Sequence, residues 1–577
     1  MHCRRSIVRV LSHLAALTAL LACTSGGAPL TLNGAGAGYH AVVPPGPGGT
    51  AVLVDYEYPS TLNPLIARTD AELRLGQLLF APLWGLDPRL RPYPDLARRV
   101  PTPGNGDVHV ARDGRSMTVD VKLVPGLRWS DGQPITADDV IFTWRAITDP
   151  DTRATSTAGF DRIRTMERRS DTEVVWMFDS VYPAYLLLGA GMFVMPAHRL
   201  QAVAHADWFR TGFSQRPDVA SGPFVVADTV AADHMVFAAN PQYTDGRTAV
   251  DAYLDGRSPF SHRPYLDHIV FLAPAGKSAE VQALAAQSAD AGFHLLPDDL
   301  ADLQAMSGPA PLVTTGLRDE LLNPNHAVNH ATGRAPPWVS DPSVLEALDR
   351  GLDRSALVRD VAAGAGLPAR GVYPRALTSF TSQVLLPQSG DVEGAKRLLD
   401  SDGWTPGADG VRAKSERRLE FSLTGICGRP GLDHELDRLR RQWLPLGVAV
   451  TTGCQTRDAF LQMSGQSAFD MTLTSNQWAP DPSAWAATAA SGRPGNWNGC
   501  QDRTLDAAFA RGEATLSANA RRSAYQDAER EWLRYRCTIP LFEVPEVREV
   551  STRLRNFAPN PSSPDTWNAA DWWLAGE

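Results

Sequence analysis

The sequence predicts a mixed α/β protein built on more than one hydrophobic core. Three observations support this. The 577 residues are 43% apolar and 21% charged, an ordinary globular composition in a chain long enough for two or three cores. Stretches that alternate apolar and polar residues interleave with stretches of helical periodicity. There is no internal repeat, the N-terminal apolar run is too short to span a bilayer, and no transmembrane segment follows it.

The elements follow in order. "GGTAVLVDYEYPSTLNPLI" (48–66) opens the folded part with a strand and a Pro-marked loop. Residues 71–84 read as a helix, and "GLDPRLRPYPDLA" after them is rich in turns. "MTVDVKL" (117–123) has the period of a half-buried strand. Pro125-Gly126 and Asp131-Gly132 then break the chain, because glycine takes the positive φ that such turns need. Thr136 with Asp139 three residues on is a helix start, with Val140, Ile141 and Trp144 on one apolar face. The stretch Leu127–Trp144 is crowded with acids, hydroxyls and two Trp, yet holds no His, Cys or Lys to make a catalytic pair. It reads as scaffold. In the second half, helices are expected over Pro342–Gly351, Ser355–Ala363, Glu393–Asp402, His434–Leu444, Thr504–Ala510 and Asn519–Arg536. Strands are expected over Glu420–Leu423, Ala449–Thr452 and Phe469–Thr474.

The N-terminus is informative. Arg4, Arg5 and Arg9 precede a short apolar run, Leu14–Ala22, that ends in "LLAC". That is the layout of a secretory signal over residues 1–22. "LLAC" resembles a bacterial lipobox, which makes Cys23 the first mature residue and the site of lipidation. The Gly/Ala/Pro-rich residues 23–49 that follow have the composition of a flexible tether. Four further cysteines remain, Cys427, Cys454, Cys500 and Cys537. An exported chain sits in oxidising space, so two disulfides in one of three connectivities are expected. Cys427 and Cys454 each follow an expected strand. If those strands are neighbours their ends meet, which favours Cys427–Cys454 and leaves Cys500–Cys537.

Net charge is −9 with no basic run beyond the N-terminus, which argues against nucleic acid as a partner. There is no P-loop, H-E-x-x-H or G-x-S-x-G motif. "GAGLPA" (364–369) fits a glycine fingerprint only on paper, because Pro368 stands where its helix would begin. His326 and His330 have the i, i+4 spacing of a helical metal pair, but lie in an Asn- and Pro-bounded segment that reads as loop or strand. No cofactor, metal or catalytic residue is expected, and the chain does not read as an enzyme.

The motifs converge on one resemblance. "WSDGQPITADDVIFTW" (129–144) matches W-[ST]-D-G-x-P-[LIV]-T-A-x-D-V-x-[FY]-[ST]-[WF] throughout. That pattern resembles a hallmark of the family-5 extracellular solute-binding proteins, the oligopeptide- and dipeptide-binding components of ABC importers. "STLNPL" (60–65), "FAPLWGLDPRLRPYPDLA" (80–97), "SGPF" (221–224), "VLEALDRGLDRSALV" (344–358), "AKRLLDSDGWTPGADGV" (395–411) and "NWNGCQDRTLDAAF" (496–509) are similar to further family segments in the same order.

The resemblance spans roughly residues 50–575. It implies a two-lobe, periplasmic-binding-protein-like fold, type II, of the large class with an extra subdomain. Lobe 1 is expected from 50–85, 215–300 and 541–577, the extra subdomain from 86–214 and lobe 2 from 301–540. It implies a monomeric receptor on the extracellular face of the cell membrane, held there by its lipid anchor. Such a receptor closes about a hinge over a peptide or other small solute and delivers it to the transmembrane subunits of an ABC permease.

For the ligand site, the resemblance implies a Trp-x-x-Asp whose carboxylate meets the ligand's α-amino group. "SNQWAPDPSAW" (475–485) offers Trp478 and Asp481 at that spacing, with Asp481 merged into an Asp-Pro turn that family members keep separate. Ala67–Thr69, with Arg68 between, are implied to hydrogen-bond an extended ligand as an added strand would. Trp485 and Trp497 are implied either to line side-chain pockets or to be core. The shortened loop motivates a second expectation, a cell-envelope regulatory or assembly factor that keeps the fold without transport.

Overall fold

The computed structural model describes residues 32–33, 39–243, 264–305 and 311–576. The expected export signal and Cys23, the expected lipidation site, lie outside the described residues. Ten strands form the backbone of one large mixed sheet: β1 (Thr50–Val54), β2 (Phe224–Val230), β3 (His234–Ala239), β4 (His268–Leu272), β5 (Ala291–Leu295), β6 (Leu312–Pro324), β7 (Glu420–Ile426), β8 (Ala449–Gln455), β9 (Met471–Gln477) and β10 (Ile539–Val550). Their order is β8-β7-β9-β6-β10-β5-β1-β4-β3-β2.

The sheet carries separate cores at its two ends. β1, β3, β4 and β5 contribute Leu53, Phe237, Ile269 and Phe293 to one core, which continues without a break into Trp84, Trp129 and Trp176. Those three Trp belong to the region around a smaller antiparallel sheet with the order Val108–Val110, Met117–Lys122, Glu173–Phe178 and Ile163–Ser170. At the other end, helices Ser343–Arg350, Arg354–Val361, Val392–Ser401 and Leu432–Trp443 cover one face of β6, β7, β9 and β10 through Leu322, Phe421, Leu473 and Leu541. Helices Arg503–Glu513 and Ala518–Tyr535 cover the other face through Leu317, Leu321 and Trp478.

Two long strands join the ends. β6 has 13 residues and β10 has 12. Near its start β6 pairs with the C-terminal half of β10, Val313 opposite Val547, and near its end with the N-terminal half, Leu322 opposite Ile539. Between Thr315 and Asp319 the register shifts. Gly316, Leu317 and Arg318 there face a single residue of β10, a bulge that bends the strand and re-aims a side chain. Gly316 leaves room there for the Glu546 carboxylate, which a Cβ would approach to 2.7 Å and push aside.

The local readings hold in detail. The helix expected from Thr136 runs Ala137–Thr148, and the Asp139 carboxylate accepts the Thr136 N–H at 2.9 Å. The other Asp139 oxygen accepts the Ala197 N–H at 2.9 Å, so the acid ties two segments of scaffold. β7 and β8 are parallel neighbours, and Cys427 is joined to Cys454. Cys500 is joined to Cys537. One helix is shorter than expected. It spans Asp70–Leu79, not 71–84, and Trp84–Leu86 is a strand paired with Pro92–Pro94. The cause is Pro82, which forces the residue before it out of helical geometry. Residues 39–43 of the expected tether are fastened. Tyr39 is buried against Trp567 and donates to Asp571 at 2.8 Å, and Val42 N–H donates to Asn556 at 2.9 Å.

Candidate functional site

The two halves of the molecule touch across a cleft. Leu90 from the first half packs on the core around Trp478, and Leu516 from the second packs on the first core. Against β6 and β10 lies a cavity of about 460 Å³. Asp70, Arg74 and Phe293 wall it from one side, Arg318 and Gln477 from the other, and β10 residues 544–548 close its back.

Six charged residues line this cavity, and four of them are committed. Arg74 donates to Asp55 at 2.7 Å and lies 4.1 Å from the Phe293 ring centroid. Arg548 bonds Asp565 at 2.6 Å and Glu546 at 2.8 Å. Burial opposes the Arg548 charge, yet those two carboxylates drive its pKa upward, so the buried group stays ionised. The other two, Asp70 and Arg318, are exposed, and their side chains make no hydrogen bond or ion pair among the described residues. Asp70 is the first residue of helix Asp70–Leu79. Arg318 sits in the β6 bulge, opposite Gln477 of β9.

A second pocket of about 480 Å³ opens in the second half alone. Phe460, Leu461, Trp478, Trp497 and Trp532 form its walls, and Asn323 and Thr474 form its polar floor, bonded to each other at 2.9 Å. β9 borders both spaces. Thr472, Thr474, Ser475 and Asn476 line this pocket, and Gln477 lines the cleft cavity.

The residues singled out in the sequence fall into three situations. Trp478 lines the second pocket and donates from Nε1 to Asp319 at 3.2 Å. Burial pushes the Asp319 carboxyl well above the usual carboxylate range, and Glu543 across the β6–β10 pair adds to this. Trp485 is core, packed 4.3 Å from Tyr373 and 4.8 Å from Trp478 between ring centroids. Trp497 is 42% exposed and walls the pocket mouth.

Asp481 is committed internally. Its Oδ1 accepts from Arg521 at 2.6 Å and from the Ser483 N–H at 2.9 Å, with both charged side chains largely buried. Arg521 is further held by Ser483 Oγ at 2.8 Å and the Gly512 carbonyl at 3.3 Å. Tyr182, from the first half, feels this loop. Burial, then the Asp481 charge, pushes its pKa up to about 12.

Four of the six peptide N–H and C=O groups at 67–69 are bonded within the protein, the Thr69 carbonyl by the Leu73 N–H at 3.1 Å. The Arg68 and Thr69 N–H groups donate to Glu72 at 2.6 and 3.3 Å, and the Ala67 carbonyl accepts from Thr155 at 2.8 Å. Thr69 is the N-cap of helix Asp70–Leu79, in a capping box with Glu72. The exposed Arg68 guanidinium donates to the Arg153 carbonyl. His326 and His330 donate to the carbonyls of Arg536 and Gln466 separately, at 3.2 and 2.8 Å. No cluster of three metal-ligating side chains exists among the described residues.

Sequence reasoning missed Asp70, Arg318 and Arg521. The one available signal was Arg318, the lone basic residue in the otherwise apolar and acidic strand "LVTTGLRDELLNP".

Comparison with known proteins agrees with this architecture. Protein XP55 of Streptomyces lividans is 27% identical over 366 residues, covering 63% of this chain and 59% of that protein. The chain thus spans under two thirds of that relative's length. The oligopeptide-binding protein AppA of Bacillus subtilis is 22% identical over 441 residues, 75% of this chain and 74% of that one. The AppA structure in complex with a nonapeptide superposes with a TM-score of 0.67 at 19% identity, over 92% of this chain and 100% of that chain. The sequence model described as "Bacterial extracellular solute-binding proteins, family 5 Middle" matches residues 91–498. With most of its length inside that match, the chain belongs to the family-5 bacterial extracellular solute-binding proteins.

Proposed function

We propose that this chain is an exported receptor that captures a short peptide between its two halves and delivers it to an ABC permease. The observation that carries the reading is the 460 Å³ cavity, walled by both halves and backed by the two strands that join them. A solute there touches both bodies at once. It therefore binds the closed form better than the open one, and that difference shifts the equilibrium toward closure. In this reading residues 50–300 with 541–577 move as one body and 301–540 as the other, bending where β6 and β10 exchange partners. Cys23 carries the lipid that holds a monomer at the membrane. Binding and release are the whole cycle, with no bond made or broken.

The test is native mass spectrometry of the full chain, followed by denaturation and mass analysis of what is released. A set of short-peptide masses supports the reading. A single non-peptide mass keeps the receptor and replaces the solute. A chain that carries nothing, and whose melting does not respond to peptide pools, favours the envelope factor without transport. The internal commitment of Asp481 is the observation on that side.

A further inference from the structure

Resting on the receptor reading above, we propose that Asp70 and Arg318 select a zwitterionic ligand, and that Asp481 does not contribute to this selection. Asp70 receives the ligand's ammonium and Arg318 its carboxylate.

The inference follows from which charges in the cleft are still available. Among the cavity's six charged side chains, Arg74 holds Asp55, and Arg548 holds Glu546 and Asp565, all within 2.8 Å. The Asp70 and Arg318 side chains have no ion-pair partner among the described residues. They come from opposite walls, Asp70 from the helix after the first loop and Arg318 from the bulge in β6. A ligand carrying both charges therefore bridges the two bodies, and it does so only when the cleft is closed. Beside Arg318, the Gln477 side chain offers an amide donor and acceptor to a peptide group. The volume of about 460 Å³ suits a peptide of two or three residues.

Asp481 is in the opposite state. An ammonium reaching it meets the buried Arg521 guanidinium already on Oδ1, a like charge within contact distance. The Arg521 group cannot swing away cheaply, since it also holds Ser483 Oγ and the Gly512 carbonyl. The position that would read an ammonium is filled by the protein's own cation.

The experiment uses the full chain and three pools of the same random tripeptides: free, N-acetylated and C-amidated. Retention of each pool is read by native mass spectrometry at neutral pH. The wild-type chain is expected to retain the free pool about tenfold better than either capped pool, as a lost charge-assisted hydrogen bond predicts. Arg318→Gln should retain free and amidated peptides equally while still rejecting acetylated ones. Asp70→Asn should retain free and acetylated peptides equally while still rejecting amidated ones. Asp481→Asn should leave both preferences unchanged. Peptides that bind with no preference among pools overturn the charge assignment and leave the receptor reading standing. So does a preference for free amines that disappears in Asp481→Asn. Failure of all three pools to bind the wild-type chain overturns both.

Discussion

Two segments rich in Trp and acid invite a functional reading, Leu127–Trp144 and Ser475–Trp485, and a third place, the cleft wall at Asp70 and Arg318, has no such composition. In the first segment Asp139 accepts two backbone N–H groups and Asp131 pairs with His198 at 2.9 Å. In the second, Asp481 caps a turn and holds Arg521. Both segments have spent their charges on the fold. At the cleft wall, two opposite charges face a cavity with no internal partner. Composition therefore marks where polar chemistry is concentrated, and only the list of partners shows which of it is left for a ligand.

The comparison makes a general forecast. Removing a spent group should cost stability and leave ligand selection alone, and removing an unspent group should do the reverse. The largest effect is expected at Arg354. This guanidinium is fully buried and donates to the Pro540 and Pro387 carbonyls and to Asp349 at 2.8, 3.2 and 2.5 Å. Arg354→Met strands two carbonyls and leaves Asp349 only its bond from Arg536, and should lower unfolding free energy by about 3–5 kcal/mol in urea titrations.

His326 comes next, as a pH effect. Burial holds its imidazole down to about 4, although it donates to the Arg536 carbonyl. The unfolded chain takes up this proton first as pH falls. Its contribution is thus present above the ordinary value of 6.5 and is lost as pH falls from there to about 4, by about 3 kcal/mol. His326→Gln should flatten the acid limb of the stability profile relative to wild type over that window. Glu549 acts in the other direction. Burial raises its carboxyl to about 7 from 4.5. Stability is lost as pH rises between those values, and Glu549→Gln should raise the melting temperature more at pH 8 than at pH 5.

Smaller effects sharpen the contrast further. Asp139→Ala removes a helix cap and the bond to Ala197 and should cost about 2 kcal/mol. Asp481→Asn takes the charge from one side of a largely buried ion pair but keeps an acceptor oxygen for Arg521, and should cost about 2 kcal/mol. Arg318→Gln and Asp70→Asn should stay within about 0.5 kcal/mol of wild type, as surface changes without partners do. A large loss of stability at either cleft position would mean that its charge is spent after all.

Much of the fold was legible because its signals are local. The Thr136–Asp139 start lies within four residues, and the β7 and β8 alternation lies within each strand. The pairing of Cys427 with Cys454 follows from those two strands being neighbours. The end of helix Asp70–Leu79 was readable in principle from Ala81-Pro82, but helical periodicity through residue 84 outweighed it. The site was not legible, and the reason is distance along the chain. Arg521 reaches Asp481 across 40 residues. Asp70 and Arg318 share a cavity only because β6 and β10 carry the chain between the two bodies. Neither juxtaposition has a periodicity or a spacing to announce it.

The most direct test places the two acid-bearing sites side by side. The shift in melting temperature caused by a free tripeptide pool would be measured for wild type, Arg318→Gln and Asp481→Asn at neutral pH. The account predicts the full wild-type shift in Asp481→Asn and little or none in Arg318→Gln. A shift that survives in Arg318→Gln and vanishes in Asp481→Asn would contradict it.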